Sequence, residues 1–311
     1  MNGGRQDMMI KPEKWRIIDP YQVPGKYFRA QLHCHTTLSD GRLSPAEATK
    51  FYCQRGFSIL CITDHARRTD TEGLSSEQIM VISGREITVC RPPWSLGKHL
   101  VLLGDATGRQ KELLEEVAGD PFLGVAMAAH PSWKGNFGSG QWAERNLIAL
   151  PGLRLVETRN PHSSAKEDMV RWQRALVARG PGKPLWGTAV DDLHELHQAG
   201  TGWVEVKMAG LNREEFFAAL HRGSFYMSNG PQAEFSVEAG AIIAHSPGAV
   251  INCSDADGRT RAEKKDRLEY HPSGEEGFLI VHCRDEQEGW ACSQPFWIIK
   301  NETGENDGSA G

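Results

Sequence analysis

The sequence predicts an α/β fold, with strands and helices alternating from Phe28 to about Pro231 and a small antiparallel β module after it. Three observations predict it. Ser44-Pro45-Ala46-Glu47 has the form of a helix start, with Ser as N-cap, Pro at the first position and Glu completing a capping box. Phe57–Thr63 is a nearly continuous apolar run, as a strand buried on both faces requires. Beyond Pro231 helical periodicity stops, and short strand-like runs separated by turn signals take over.

In chain order, residues 1–27 contain Pro12, Pro20, Pro24 and Gly25 and read as an irregular lead-in. Phe28–His35 reads as a strand, the helix opened at Ser44 closes at Gly56, and Phe57–Thr63 follows as the second strand. Further strands are expected at Val81–Val89, His99–Leu103, Gly124–Ala129, Leu153–Thr158 and Pro184–Val190. Helices are expected at Lys111–Ala118, Gln141–Leu150, Lys166–Arg179 and Arg213–Arg222. Such βα repeats over 28–231 imply a parallel sheet or barrel. The module at 232–300 shows short strands at Ala233–Val237, Leu268–His271, Phe278–Arg284 and Pro295–Ile299, and 301–311 is a polar, Gly-rich tail expected to be frayed.

The chain has 311 residues, 35 basic and 40 acidic, with a formal charge of −5 and 39% hydrophobic content. The hydrophobic content suffices for a sizeable core, and the acidic balance gives no support for nucleic-acid binding or for a basic, membrane-binding face. The opening MNGGRQDMMIKPEKW has no apolar core of a signal peptide, and no run approaches membrane-spanning length, so a cytoplasmic location is expected. The seven cysteines are odd in number and form no CxxC pair, which speaks against a disulfide framework or zinc ribbon.

The chemistry-bearing pattern is the position of ionisable residues relative to the strands. His33 and His35 stand two apart at the end of the first strand, so both imidazoles face one side and Cys34 the other. Asp40 follows in Ser39-Asp40-Gly41, and His65 follows the second strand in Thr63-Asp64-His65. Glu86 lies on the third strand, His99 opens the fourth, and His130 ends the fifth in His130-Pro131. Asp192 and His194 follow the apolar run ending at Val190. Six of the twelve histidines thus fall at or near strand ends, where the sites of parallel α/β barrels gather. Imidazole mixed with carboxylate suits zinc, manganese or iron better than calcium or magnesium alone. Nine candidate ligands exceed one four-coordinate ion and suit a centre of two or three divalent ions.

His33-x-His35, Ser39-Asp40-Gly41, Ser44-Pro45 and Thr63-Asp64-His65 together resemble the opening of the polymerase-and-histidinol-phosphatase (PHP) domain. Glu86, His130-Pro131 and Asp192-x-His194 resemble its later motifs in the right order, over residues 28–230. The resemblance implies a distorted seven-stranded β/α barrel, TIM-like, with a metal cluster at its C-terminal rim. It implies that His33, His35, Glu86 and Asp192 hold one ion, that Glu86 bridges to a second held by His99 and His130, and that Asp40, His65 and His194 hold a third. Asp191 adds a neighbouring carboxylate, and spacing to His194 selects Asp192. The segments Gly202–Val206, Leu211–Glu215, Gly223–Tyr226, Arg284-Asp285 and Gly289–Pro295 are similar to the PHP metallohydrolases related to carbaryl hydrolase, which append a small β domain.

Divalent ions at such a site lower the pKa of water, clamp substrate oxygens and neutralise the leaving group. Asp64 is a candidate for orienting a ligand or a water, and Arg67, with Arg68, for meeting a phosphate oxygen. Trp133, Lys134 and His162 are candidates for the pocket mouth. The expected activity is hydrolysis of a small-molecule phosphate ester. Hydrolysis of a carbamate or carboxylic ester is the first alternative, and a non-catalytic metal-binding module the second.

Overall fold

A computed structural model describes residues 15–89, 97–105, 123–135, 140–150 and 152–301. The fold is mixed α/β and rich in strand. Strands β2 (Lys26–Gln31), β3 (Ile59–Ile62) and β4 (Met80–Val89) lie parallel. β5 (Lys98–Gly104) reverses against β4, and β6 (Gly124–Ala128) reverses against β5. β7 (Leu153–Arg159) and β8 (Trp186–Ala189) then continue parallel to β6.

On the other side of β2 the pairing is antiparallel, first with β9 (Trp203–Met208) and then with β10 (Phe225–Ser228). The sheet passes from β10 to β15 (Trp290–Cys292), β14 (Phe278–Arg284), β16 (Phe296–Lys300) and finally β1 (Trp15–Ile18). β11 (Glu234–Glu238), β12 (Ala241–Asp255) and β13 (Thr260–Tyr270) branch off through the β12–β14 pair.

The expected run of parallel βα units is therefore interrupted. Only residues 90–97 separate β4 from β5, fewer than the dozen or so a parallel crossover needs, so β5 must return antiparallel. The hydrogen-bonded path runs from β1 to β8 without closing, and no closed barrel ladder forms among the described residues. Two contacts nevertheless dock β8 and the segment after it. Leu193 bridges Cys34 beyond the end of β2. The buried Gln294 amide pairs with Gly187 as a strand residue would, Gly187 N donating to Oε1 at 3.0 Å and Nε2 donating to Gly187 O at 2.8 Å.

Four α-helices are present among the described residues: α1 (Pro45–Cys53), α2 (Glu144–Ala149), α3 (Ala165–Arg179) and α4 (Arg213–Arg222). α1 starts with the capping box the sequence announces: Glu47 N donates to Ser44 Oγ at 3.3 Å and Ser44 N to Glu47 Oε2 at 2.8 Å. α4 ends on Gly223 at φ +79°, the left-handed cap glycine favours. In α3 the fully buried Trp172 donates to Leu185 O at 2.7 Å and packs over Gly187. No helix among the described residues is long and apolar enough to cross a membrane.

Two large apolar clusters hold the sheet. One runs through β2–β10 and includes Leu32, Trp172, Phe216 and Phe225; the other joins Tyr21, Phe235, Ile251 and Phe296 across the C-terminal strands. A fully buried large apolar side chain contributes roughly 1.5–3 kcal/mol, against about 0–1 kcal/mol for an exposed ion pair. Core burial therefore outweighs the surface pairs such as Arg42–Glu195.

Several strands are absent from the sequence-based expectation. β1 lies in the stretch read as an irregular lead-in, and takes its ladder from β16, a partner almost at the other end of the chain. Of β13 only the end is expected, as Leu268–His271; residues 260–267 before it are exposed at most positions, so they lack the alternation that marks a strand with one buried face. β12 contains Ser246-Pro247-Gly248, which reads as a turn but sits at a register shift between His245 and Val250. The helix expected at Lys111–Ala118, Cys90 and the tail beyond Asn301 lie outside the described residues.

Candidate metal centre

The site is assembled where the ends of β2, β3 and β4 meet the start of β5 and the segments after β6 and β8. Past β2 the chain stays extended, and Cys34 is buried in an apolar cluster while His33 and His35 face the opposite side. Gln31 ties this segment to the one after β8, its Oε1 accepting from Leu32 N, His33 N and Asp191 N at 3.1, 3.4 and 3.1 Å. His35 N also donates to Leu193 O at 3.1 Å. Asp192 and His194 are thereby brought against His33 and His35, although about 160 residues separate them in sequence.

Glu86 is at the centre. Its Oε2 lies 3.4 Å from His33 Nε2, 3.1 Å from His35 Nε2 and 3.2 Å from His65 Nδ1. Its Oε1 lies 2.8 Å from His99 Nδ1 and 3.2 Å from His130 Nε2. One carboxylate thus faces two groups of imidazoles through its two oxygens. Asp192 Oδ1 joins the first group at 3.2 Å from His33 Nε2 and 3.3 Å from His35 Nε2. Asp191 turns away, accepting from Tyr52 Oη at 3.0 Å and Gly202 N at 3.2 Å.

A third group sits at the rim. Asp40 Oδ2 lies 3.4 Å from His65 Nε2 and 3.3 Å from His194 Nε2, and its Oδ1 lies 3.4 Å from His35 Nδ1. The loop carrying Asp40 is clamped by the buried Asp64. That carboxylate accepts from Thr36 N, Thr36 Oγ1 and Ser39 Oγ at 2.8 Å each, and from Thr69 Oγ1 at 2.5 Å. Burial raises the Asp64 pKa, but the bonds from Thr69, Thr36 and Ser39 outweigh it and hold the group below the ordinary carboxylate value. Gly41 closes the loop so tightly that a Cβ there would lie 2.3 Å from His35 O.

All nine sequence-nominated ligand residues are thus brought together. Donor atoms within 4.8 Å of one another group as His35, Asp40, His65 and His194; as His33, His35 and Asp192; as His65, Glu86 and His99; and as His162, Asp192 and His194. Each group could hold a metal ion. Asp64 and Arg67 are placed differently: the first is enclosed in its four hydrogen bonds, the second is exposed, and neither lines the cavity. Arg68 is engaged by Asp105.

The electrostatics fit a cationic occupant. Burial pushes the Glu86 and Asp192 carboxyls up, yet their histidine contacts reverse this and hold both well below the usual carboxylate range. Burial likewise lowers His33, but Asp192, Glu157 and Glu86 hold it well above its ordinary value. Among the described residues, the groups within ion-pair distance of Glu86, Asp192 and Glu157 are all histidines. His130 Nδ1 and Asp192 Oδ1 are buried without a hydrogen-bond partner among the described residues, a cost of about 1–3 kcal/mol apiece that a bound ion would relieve at the carboxylate oxygen. His65 and His194 are held below the ordinary imidazole value by burial first, with the neighbouring His35 adding to it. They are therefore neutral near pH 7, as ligands must be.

A cavity of about 240 Å³ opens over the cluster, lined by Asp40, His65, Glu86, His99, His130, Trp133, His162, Asp192 and His194. Trp133 packs against His99 and His130 with ring centroids 5.0 and 4.9 Å away. His162 Nε2 stands 3.9 Å from Asp192 Oδ2, and Lys134 is exposed beside Trp133. Sequence reasoning missed Gln31, Glu157 and Asn160. The only signal was an acid two residues beyond Leu155 in the strand-like run Leu153–Thr158, on the same face as the apolar Leu153 and Leu155.

No protein-family model matches the chain, and no curated protein matches it. Solved structures do. A two-domain protein from Bacteroides vulgatus, containing a predicted PHP-like metal-dependent phosphoesterase, is similar over 91% of both chains at 14% identity and a TM-score of 0.50. A protein from Bifidobacterium adolescentis described as a metal-dependent phosphoesterase is similar over 62% of this chain and 96% of its own, at 14% identity and a TM-score of 0.42. An amidohydrolase from Chromobacterium violaceum is similar over 53% of this chain and 87% of its own, at 19% identity and a TM-score of 0.37. At such identities the Bacteroides likeness speaks to fold alone; the other two carry no argument.

Proposed function

We propose that this chain is a metal-dependent hydrolase of the PHP type, acting on a small-molecule phosphate ester through water activated at a centre of two or three divalent ions. The observation that carries the proposal is Glu86, whose two oxygens face separate sets of imidazoles, His33, His35 and His65 on one side and His99 and His130 on the other. A carboxylate so placed is suited to bridging. In this reading His33, His35, Glu86 and Asp192 hold one ion, Glu86, His99 and His130 a second, and Asp40, His65 and His194 a third. The donor set favours manganese, zinc or iron.

Bound ions would supply Lewis-acid stabilisation of charge on the substrate oxygens and lower the pKa of water. The chain's own residues do the rest. Asp64 keeps the Asp40 loop in place through Thr36 and Ser39. Trp133 walls one side of the cavity, and His162 stands at its edge against the His194 ring. The cavity's volume of about 240 Å³ suits a compact ester. The open sheet would be a distorted form of the PHP barrel, with residues 232–300 as an appended β domain. The formal net charge of −5 supports neither nucleic acid nor an acidic membrane as partner.

A carbonyl-centred reading, hydrolysis of a carbamate or carboxylic ester, is favoured by the sequence likeness to the carbaryl-hydrolase-related proteins and uses the same centre. Assay of p-nitrophenyl phosphate, bis-p-nitrophenyl phosphate and p-nitrophenyl acetate with added manganese separates the two. The proposal expects turnover of a phosphate ester; turnover of the acetate alone would replace it with the carbonyl reading.

A further inference from the structure

Glu157 lies on β7, away from every sequence motif considered above, and it is completely buried. Its Oε1 is 2.7 Å from His33 Nδ1. Its Oε2 accepts from His130 N at 2.6 Å and from Asn160 Nδ2 at 2.7 Å. Asn160 Nδ2 also donates to Asp192 Oδ2 at 3.0 Å, and Asn160 Oδ1 accepts from His162 N at 2.8 Å. The two side chains therefore touch three candidate ligand residues directly. They do so from behind, on atoms turned away from Glu86.

Two of those three residues are conformationally strained. His130 has φ +27° and Asp192 φ +45°, among only six non-glycine residues with positive φ in the described chain. A non-glycine residue in this region costs on the order of 1–3 kcal/mol unless its surroundings hold it there. Here the holding groups are the bond from His130 N to Glu157 and the bond from Asn160 to Asp192. The same carboxylate also orients His33: its Oε1 sits 2.7 Å from Nδ1, so Nε2 is the nitrogen turned toward Glu86 and Asp192 and the one a bound cation would take.

We propose that Glu157 and Asn160 form a positioning clamp that sets the metal affinity of the centre by fixing the orientation of His33 and the strained backbones of His130 and Asp192. Neither residue is a catalytic residue or a ligand. The inference rests on the metal-centre reading above. Outer-shell partners of this kind cost roughly 10- to 100-fold in metal affinity when removed.

Glu157→Gln is the sharpest variant because it preserves shape. Its single oxygen cannot serve both His33 Nδ1–H and the donors His130 N and Asn160 Nδ2, and its NH₂ must confront one of them. Dissociation constants for zinc and manganese would be measured by chelator competition on apoprotein shown to be folded by circular dichroism. The visible absorption of the cobalt-substituted protein gives a second readout of ligand geometry. A roughly 10- to 100-fold weaker Kd with an altered cobalt spectrum is expected, and a smaller loss for Asn160→Ala, which leaves the bonds from Glu157 to His33 and His130. Folded Glu157→Gln with wild-type Kd and spectrum overturns the clamp, as does wild-type behaviour of Asn160→Ala should Glu157→Gln not fold. Wild-type protein that binds no divalent ion would overturn clamp and metal centre together. Binding without ester turnover would overturn only the hydrolase reading, and the Kd comparison would still decide the clamp.

Discussion

Glu86 and His99 lie on neighbouring antiparallel strands, and Oε1 of the acid is 2.8 Å from Nδ1 of the imidazole. Because β5 runs backwards relative to β4, the start of β5 reaches the same edge as the ends of β2 and β3. A histidine that opens a strand thus joins histidines that close theirs. Glu86 is the only acid that touches both imidazole sets among the described residues.

Removing that acid tests its bridging role. Glu86→Ala should reduce turnover by at least about 100-fold, the upper end of what even outer-shell partners cost, and should lower the number of ions bound per chain. Steady-state kinetics with metal analysis of the same preparation checks both. Normal metal content with normal turnover would remove Glu86 from the centre.

His35→Ala and Asp192→Ala address the most deeply buried part of the cluster, where His35 Nε2 and Asp192 Oδ1 stand 3.3 Å apart. Each should abolish turnover and lower metal content. A variant with full activity and stoichiometric metal would show that the ligand set is misassigned.

Gly41→Ala tests the loop that carries Asp40. A Cβ at that position would meet His35 O at 2.3 Å, so the backbone must move. Overpacking of this kind costs typically about 1–3 kcal/mol. The shift should lower the denaturation midpoint and also weaken the rim group of Asp40, His65 and His194. A urea unfolding curve superimposable on wild type would contradict the close packing described.

Glu276 makes a pH prediction far from the cluster. Its carboxylate accepts from Tyr270 Oη, Ser273 N, Ser273 Oγ, Gly274 N and Glu275 N at 2.7–3.0 Å. Burial raises its pKa, but the hydrogen bonds from Ser273 and its neighbours outweigh this and lower it to about 2. The folded value lies below the unfolded one, so the stabilisation is present above about pH 4.5 and is lost as pH falls toward 2. Glu276→Gln should destabilise the protein at pH 7 by roughly 1.5–3 kcal/mol, the range for hydrogen bonds to a charged group. The difference from wild type should shrink on acidification. A difference that grew at low pH would refute this account.

Much of the site was legible because the residue types and spacings are local. His33-x-His35 announces two groups on one face, Asp192-x-His194 two more just past a strand, and Ser44 through Glu47 a helix that the structure contains. What was not legible depended on distant partners. Glu157 is marked in sequence only as an acid on the face of a strand that also carries Leu153 and Leu155, and its meaning appears when β7 lies beside β6 and sets it behind His33 and His130. The antiparallel turn of β5 was legible in the short link of residues 90–97, but the βα alternation of the rest of the domain pointed to a parallel sheet. β1 and the first part of β13, residues 260–267, escaped notice for opposite reasons: the first draws its ladder from the far end of the chain, and the second has almost no buried face. Asp64 looked like a group beside a ligand, yet its four hydrogen bonds make it the anchor of the Asp40 loop.

The most direct test of the central claim is the metal content of the intact chain, purified without chelator and analysed by inductively coupled plasma mass spectrometry. Two or more equivalents of manganese, zinc or iron per chain, falling on Glu86→Ala substitution, are expected. Less than one equivalent, with none taken up on incubation with excess of these ions, would contradict a polynuclear centre.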